Sequence, residues 1–123
     1  MIKTGIDLIR TNRLAEVDPA IRERFIKRVF TPTEQEQARG DLESLSGIFA
    51  AKEAVSKVLG TGIGKVAWQE IEIIHAPSGE PSVQLHGKAS EVAQKRGLRH
   101  WSVSITHDGG LAAAVAVAIG ELP

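Results

Sequence analysis

The second half of the chain keeps a period of two, and this limits the fold more than any other feature. Trp101-Ser102-Val103-Ser104-Ile105-Thr106 alternates apolar side chains with hydroxyls, and Leu111–Ile119 is an uninterrupted apolar run with its own Ala/Val alternation. Residues that alternate in twos stand on opposite faces of a strand. Between the two runs, His107-Asp108-Gly109-Gly110 supplies the turn of a β-hairpin. The apolar run is far shorter than the roughly 20 residues a membrane-spanning helix needs, and it suits a buried strand. Glu70-Ile71-Glu72-Ile73 and Ser82-Val83-Gln84-Leu85 form a second alternating pair, turned by Ala76-Pro77-Ser78-Gly79-Glu80-Pro81.

The first half keeps a helical period after one short strand. Residues 2–9 are apolar apart from Lys3, Thr4 and Asp7 and read as that strand. Asp18-Pro19 is a helix start, with Asp as the cap and Pro in the first turn. Ile21, Phe25 and Val29 then recur every four residues and leave Arg24, Lys27 and Arg28 on another face. Thr31-Pro32-Thr33-Glu34 is a capping box that opens a second helix toward Arg39. A third helix is expected over residues 45–59, stopped by Gly60-Thr61-Gly62-Ile63-Gly64, and a fourth over 87–96, stopped by Gly97. Helices first and hairpins later predict an α+β fold, an antiparallel sheet with helices packed on it. The 123 residues suffice for one core, without repeats or linkers, so residues 1–123 are expected to be a single domain.

Charge narrows the function. Fifteen Lys plus Arg balance fifteen Asp plus Glu, which excludes a chain that finds nucleic acid or an anionic membrane through bulk charge. There is no cysteine, hence no disulfide framework, thiolate metal site or cysteine nucleophile. Met1-Ile2-Lys3-Thr4-Gly5-Ile6-Asp7 puts an acid where a signal peptide needs apolar residues, so a cytoplasmic location is expected. The neutral total is uneven, however. Ile21-Arg22-Glu23-Arg24-Phe25-Ile26-Lys27-Arg28 holds four basic residues against one acid, while residues 101–123 hold no Lys or Arg and only Asp108 and Glu121 as acids. The basic stretch is either a solvated helix face or a docking surface for an acidic partner.

Three places carry candidate chemistry. Asp7 sits within an apolar strand, where a carboxylate either faces solvent or has a partner that offsets its desolvation. In Phe49-Ala50-Ala51-Lys52-Glu53-Ala54-Val55-Ser56-Lys57-Val58-Leu59-Gly60-Thr61-Gly62-Ile63-Gly64, the residues Ala51, Val55 and Val58 form a core stripe. Glu53 and Lys57 lie four apart on a neighbouring face that leads to the glycines. A carboxylate there can hold a hard cation, a lysine can hold phosphate, and glycines let backbone N–H groups approach an anion. The glycines follow the helix, which excludes a Walker loop, and no strand precedes them, which excludes a dinucleotide fingerprint. Finally, His107 adjoins a face of hydroxyls at Ser102, Ser104 and Thr106, where an imidazole can pass a proton near neutral pH. His75, His86 and His100 read as structural.

Taken in order, Gly5-Ile6-Asp7-Leu8, Phe30-Thr31-Pro32-Thr33-Glu34, the block from Phe49 to the glycines, and Val103-Ser104-Ile105-Thr106-His107 closely resemble the holo-[acyl-carrier-protein] synthases. These are the short, trimeric group of 4′-phosphopantetheinyl transferases, and the resemblance covers essentially the whole chain. It implies transfer of 4′-phosphopantetheine from coenzyme A to a serine of apo acyl carrier protein, for fatty acid synthesis, with release of adenosine 3′,5′-bisphosphate. It implies Mg²⁺ held by Asp7 and Glu53, and Lys52 and His107 at the reacting phosphate. Coenzyme A would meet Lys57, Ser56, Gly60, Thr61, Gly62, Gly64, Pro81 and Thr106. The acceptor of the serine proton stays open between a metal-bound water, Lys52 and a group near His107. A homotrimer with active sites between subunits is implied, the second hairpin reaching in from a neighbour. Arg13, Arg24 and Arg28 match carrier-docking positions, with Arg22 and Lys27 as additions. One departure is Ile48, where the family often has arginine. The alternatives are a catalytically silent module that binds coenzyme A or a carrier, and a Mg²⁺-dependent phosphodiester hydrolase, which would need more clustered acids.

Overall fold

The computed structural model describes residues 1–120, so Glu121 of the C-terminal segment lies outside the described residues. The first strand, β1 (Ile2–Arg10), leads through a short helix, α1 (Arg13–Glu16), into α2 (Pro19–Val29), α3 (Pro32–Ala38) and the long α4 (Leu42–Leu59). A 3-10 turn at Trp68–Glu70 precedes the hairpin of β2 (Ile71–His75) and β3 (Pro81–Leu85). Helix α5 (Gly87–Lys95) then leads to the second hairpin, β4 (His100–Asp108) and β5 (Leu111–Ile119).

The local signals act as their chemistry requires. The Asp18 carboxylate accepts from Ala20 N at 2.9 Å and starts α2. At α3 the capping box is complete, with Thr31 Oγ1 accepting from Glu34 N and Glu34 Oε1 accepting from Thr31 N. Helix α4 begins three residues earlier than its apolar stripe suggests, because Asp41 caps it, and it ends at Gly60 with φ of 77°. The second turn is confined to Gly109 and Gly110, both at positive φ, so His107 and Asp108 belong to β4 rather than to the loop.

Two antiparallel sheets result, one ordered β1-β5-β4 and one formed by β2 and β3. In the first, Asp7 pairs with Ala114 and Ala114 with Ile105, so these residues share one face with Gly5, Val103 and His107. Helix α4 lies on that face. Ala112, Ala114, Ala116 and Ala118 present only methyl groups to it and are fully or nearly fully buried. The other face carries Ile2, Ile6, Leu8, Leu111 and Val115, and no element among the described residues covers it: Ile6 is 67% exposed and Leu8 62%. The alternation is therefore apolar on both faces.

A polar network holds α3, α4 and β2 together, and it corrects the reading of Lys52. That side chain is fully buried and its three N–H groups are all used. They donate to Glu34 Oε1 at 2.7 Å, Trp68 O at 3.0 Å and Ile71 O at 2.8 Å. Burial pushes its pKa down, opposed by the adjacent Glu34 charge and hydrogen bond. Glu34 Oε2 also accepts from Ile73 N, and Thr31 Oγ1 donates to Glu72. Burial alone raises the pKa of Glu72, yet hydrogen bonds from Thr31 and His86 and the charges of His86 and Lys52 leave it below the ordinary value.

Removing one partner of a buried pair strands the other charge. Lys52→Met is expected to destabilise the fold by about 3–5 kcal/mol. Adding Glu34→Gln, which removes the stranded charge, recovers part of that loss. Urea unfolding measures both, and a double variant no more stable than the single one contradicts the assignment.

Candidate active site

The site is set by how closely β1 meets α4. A Cβ at Gly5 would overlap the Ala54 carbonyl oxygen and lie 3.2 Å from Lys57 Cβ. Two residues on, Asp7 points to the same side of the strand and meets Glu53 and Lys57, one helical turn apart. Lys57 Nζ donates to Ile6 O at 2.8 Å and lies 3.4 Å from Asp7 Oδ1. Asp7 Oδ2 is buried with no hydrogen-bond partner. Glu53 is partly buried, and its pKa is raised first by that burial and then by the Asp7 charge, with Lys57 opposing. Two carboxylates of like charge thus face a single lysine.

This donor set fits a hard divalent cation. Mg²⁺ takes one or two carboxylates and fills its other positions with phosphate oxygens and water. Asp7 has an oxygen left over for it, and a cation removes the repulsion felt by Glu53. Among the described residues no group of three or more His, Cys, Asp or Glu is placed to hold a metal, so further ligands must come from a bound molecule. The end of α4 adds its own field, since a helix C-terminus carries partial negative charge and favours cations.

Several expected residues are arranged differently. Gly60 N donates to Ser56 O and Lys57 O and Gly62 N to Ser56 O, which closes the helix, while Gly64 N donates to Val66 O in the following loop, so each of these amides already has a backbone partner. Thr61 Oγ1 donates to Gly62 O at 2.9 Å. Ser56 is buried and donates to Glu53 O at 2.7 Å, as helical serines often do inside a packed face. Lys52 points away from Asp7, into the core described above. His107 lies at the other end of α4: a Cβ at Gly47 would stand 2.8 Å from its Nε2, which is 3.0 Å from Glu43 O. Thr106 is exposed on the open face of the sheet, and Pro81 opens β3 opposite His75. Within one chain, Asp7, Glu53 and Lys57 come together; His107, Thr106 and Pro81 do not join them.

The basic helix is likewise divided. Arg24 and Arg28 are exposed, and Arg13 lies exposed on α1. Arg22 is committed instead to Leu14 O and Ala15 O, at 3.3 and 3.4 Å, where it satisfies carbonyls of the short α1. A cavity of about 200 Å³ lies beside these arginines, lined by Arg13, Leu14, Val17, Ile21, Phe25 and Phe49 among others. Sequence reasoning missed α1 and the buried Glu34–Lys52 pair. The signal for the pair was a lysine inside the apolar stripe of a helix, which demands an acid from elsewhere.

Comparison with known proteins places this geometry. Residues 3–116 match the model of the 4′-phosphopantetheinyl transferase superfamily. The holo-[acyl-carrier-protein] synthase of Herpetosiphon aurantiacus is 40% identical over 127 residues, covering 98% of this chain and all of the relative. That of Moorella thermoacetica is 42% identical over 120 residues, covering 95% of this chain and 93% of its own. Among solved structures, the Helicobacter pylori synthase in complex with coenzyme A superposes with a TM-score of 0.85 at 32% identity, over 97% of this chain and 100% of the other. The Neisseria meningitidis synthase gives 0.86 at 31% identity, over 97% and 99%. The chain belongs to the 4′-phosphopantetheinyl transferase superfamily and, within it, to the holo-[acyl-carrier-protein] synthases.

Proposed function

We infer that the edge formed by Asp7, Glu53 and Lys57 is where this transferase holds the pyrophosphate of coenzyme A. The reaction moves 4′-phosphopantetheine to a serine of apo acyl carrier protein. The serine oxygen bonds to the phosphorus that carries pantetheine, the phosphoanhydride bond breaks, and adenosine 3′,5′-bisphosphate departs. The unpartnered Asp7 Oδ2 carries this assignment, because a buried carboxylate oxygen with no protein donor among the described residues needs a cation or water as its partner, and it faces the second carboxylate, Glu53. Asp7 and Glu53 would hold Mg²⁺, which when bound supplies positive charge against the bridging oxygens. Lys57 turns its ammonium from Ile6 O and Asp7 to a phosphate oxygen, and Ser56, Thr61 and the glycines shape the edge beside it. Lys52 is fully buried and donates all three ammonium hydrogens, which leaves no lone pair to accept the serine proton, so the acceptor is sought elsewhere.

A single domain of this length, acting in the cytoplasm, is part of the same proposal. So is a homotrimer. His107, Thr106 and Pro81 stand away from Asp7 in their own chain, and a second copy seated on the bare face of the sheet can bring such residues to the site. Support comes from the Ile6–Val115 cross-strand pair and the neighbouring Leu8 and Ile2, an apolar patch of the kind that marks an association surface. Acyl carrier proteins are acidic, and Arg13, Arg24 and Arg28 offer them cations beside an apolar cavity.

The direct test incubates apo acyl carrier protein with coenzyme A, Mg²⁺ and this protein and weighs the product; the carrier gains one phosphopantetheine, and no gain sinks the reading. In the same assay Glu53→Gln raises the Mg²⁺ requirement by at least about tenfold, the scale seen even for groups one step removed from a metal. An unchanged requirement refutes the metal assignment.

Changing Arg24 and Arg28 together to Glu is expected to weaken carrier binding by about 1–2 kcal/mol, mostly through slower association. Coenzyme A binding stays as it was. Equal effects on both would make the helix structural.

Sedimentation tests the assembly. The unmodified chain runs as a trimer, and Ile6→Lys, which puts a charge in the apolar face, shifts it to monomer. A monomer without the substitution overturns the trimer.

A further inference from the structure

Arg96 reaches the phosphate edge from a different element and has no other assignment. It caps α5, where its own N–H donates to Val92 O at 3.1 Å. The following turn is held by Gly97 at φ of 69° and by Leu98 N donating to Ala93 O at 2.9 Å. This fixes where the side chain starts. Its guanidinium lies over Gly60, at the end of α4: a Cβ there would stand 3.2 Å from Arg96 Cζ and 3.5 Å from Nη2, and would collide with Nη1. Arg96 is exposed, and its guanidinium makes no hydrogen bond or ion pair among the described residues. Five donors therefore lie at this edge with no acceptor among the described residues.

The surroundings call for such a group. The amides of Gly60 and Gly62 bond back to α4 and that of Gly64 to Val66 O, and the last carbonyls of α4 make this end negative. Beyond what a cation held by Asp7 and Glu53 would supply, an anion lying along the edge draws its positive charge from side chains. Lys57 is one such cation, already shared with Ile6 O and Asp7. Gly60 is seven residues beyond Glu53, about 10 Å along the helix, which is within the span of a nucleotide diphosphate. A planar guanidinium meets a phosphate with two parallel hydrogen bonds, which an ammonium cannot do.

We propose that Arg96 binds a phosphate group of the coenzyme A nucleotide at Gly60, as a second cation beside Lys57. The proposal rests on the assignment of the Asp7–Glu53–Lys57 edge to coenzyme A. The positive φ of Gly60 keeps a side chain from this spot and leaves it open to the guanidinium.

Calorimetric titration with coenzyme A and with its 3′-dephospho form, in the presence of Mg²⁺, tests it. Arg96→Gln is expected to weaken coenzyme A binding by about tenfold, the loss of a charge-assisted hydrogen bond. Arg96→Lys recovers only part of that. KM for the carrier and the temperature of unfolding stay unchanged. If the weakening disappears with the 3′-dephospho form, Arg96 holds the 3′-phosphate; if it persists, Arg96 holds the pyrophosphate. A lower unfolding temperature with unchanged affinity makes Arg96 a helix cap and overturns the proposal. Failure of the unsubstituted protein to bind coenzyme A overturns the parent reading and this one together, whereas binding that ignores Arg96→Gln overturns this one alone.

Discussion

The contact on which the rest depends is backbone against backbone, where β1 crosses α4 at Gly5 and Ala54. No side chain fits between them. The same closeness recurs at Gly47 beneath His107 and Ile105, and the alanines of β5 extend it across the sheet. A helix resting on methyl groups and bare Cα atoms has little room to roll or slide, because interiors pack at crystal-like density. Fixing α4 against β1 fixes Glu53 and Lys57 against Asp7. The precision of the site thus comes from what is missing at Gly5, one turn of helix away from the chemistry.

Electrostatics then sets the division of labour. A helix C-terminus with two carboxylates is a place for cations, and an anionic substrate arriving there needs counter-charge that the backbone does not provide. Lys57 stands at this edge, whereas Lys52 is sealed against Glu34. Two adjacent residues of one helix, Lys52 and Glu53, therefore part company: one lies inside the core network and the other is partly buried beside Asp7.

Much of this was legible in the sequence because the deciding interactions are local. The Asp18 cap, the Thr31–Glu34 box and both hairpins depend on residues within a few positions, and each formed where its pattern stood. Asp7, Glu53 and Lys57 were legible through their spacing and the family motif. What escaped depends on long-range partners. The motif sets Lys52 at the reacting phosphate until Glu34 is brought beside it, Arg22 looks like a docking charge until α1 turns its carbonyls toward it, and Ser56 like a coenzyme A contact until its hydroxyl turns back to Glu53 O. His107 and Asp7 occupy opposite ends of α4 in one chain, in keeping with the expectation that the second hairpin reaches the site from a neighbour. The bare apolar face was invisible for a related reason: the alternation of β5, Ala against Val and Leu, looks the same whether a helix or another molecule covers the larger residues.

The pairing of β1 with β5 bears on the order in which the molecule can be made. Ile2 lies opposite Ile119, so the first strand out of the ribosome is completed only by the last. Until then β1 has no neighbour for its backbone groups and its apolar residues stay in water, while helices with local contacts can already form. Closing so long a loop is slow compared with winding a helix. Asp7 therefore takes its place in the sheet only once β5 is available, and a chain cut short before β5 lacks both the strand that pairs with β1 and the alanines on which α4 rests.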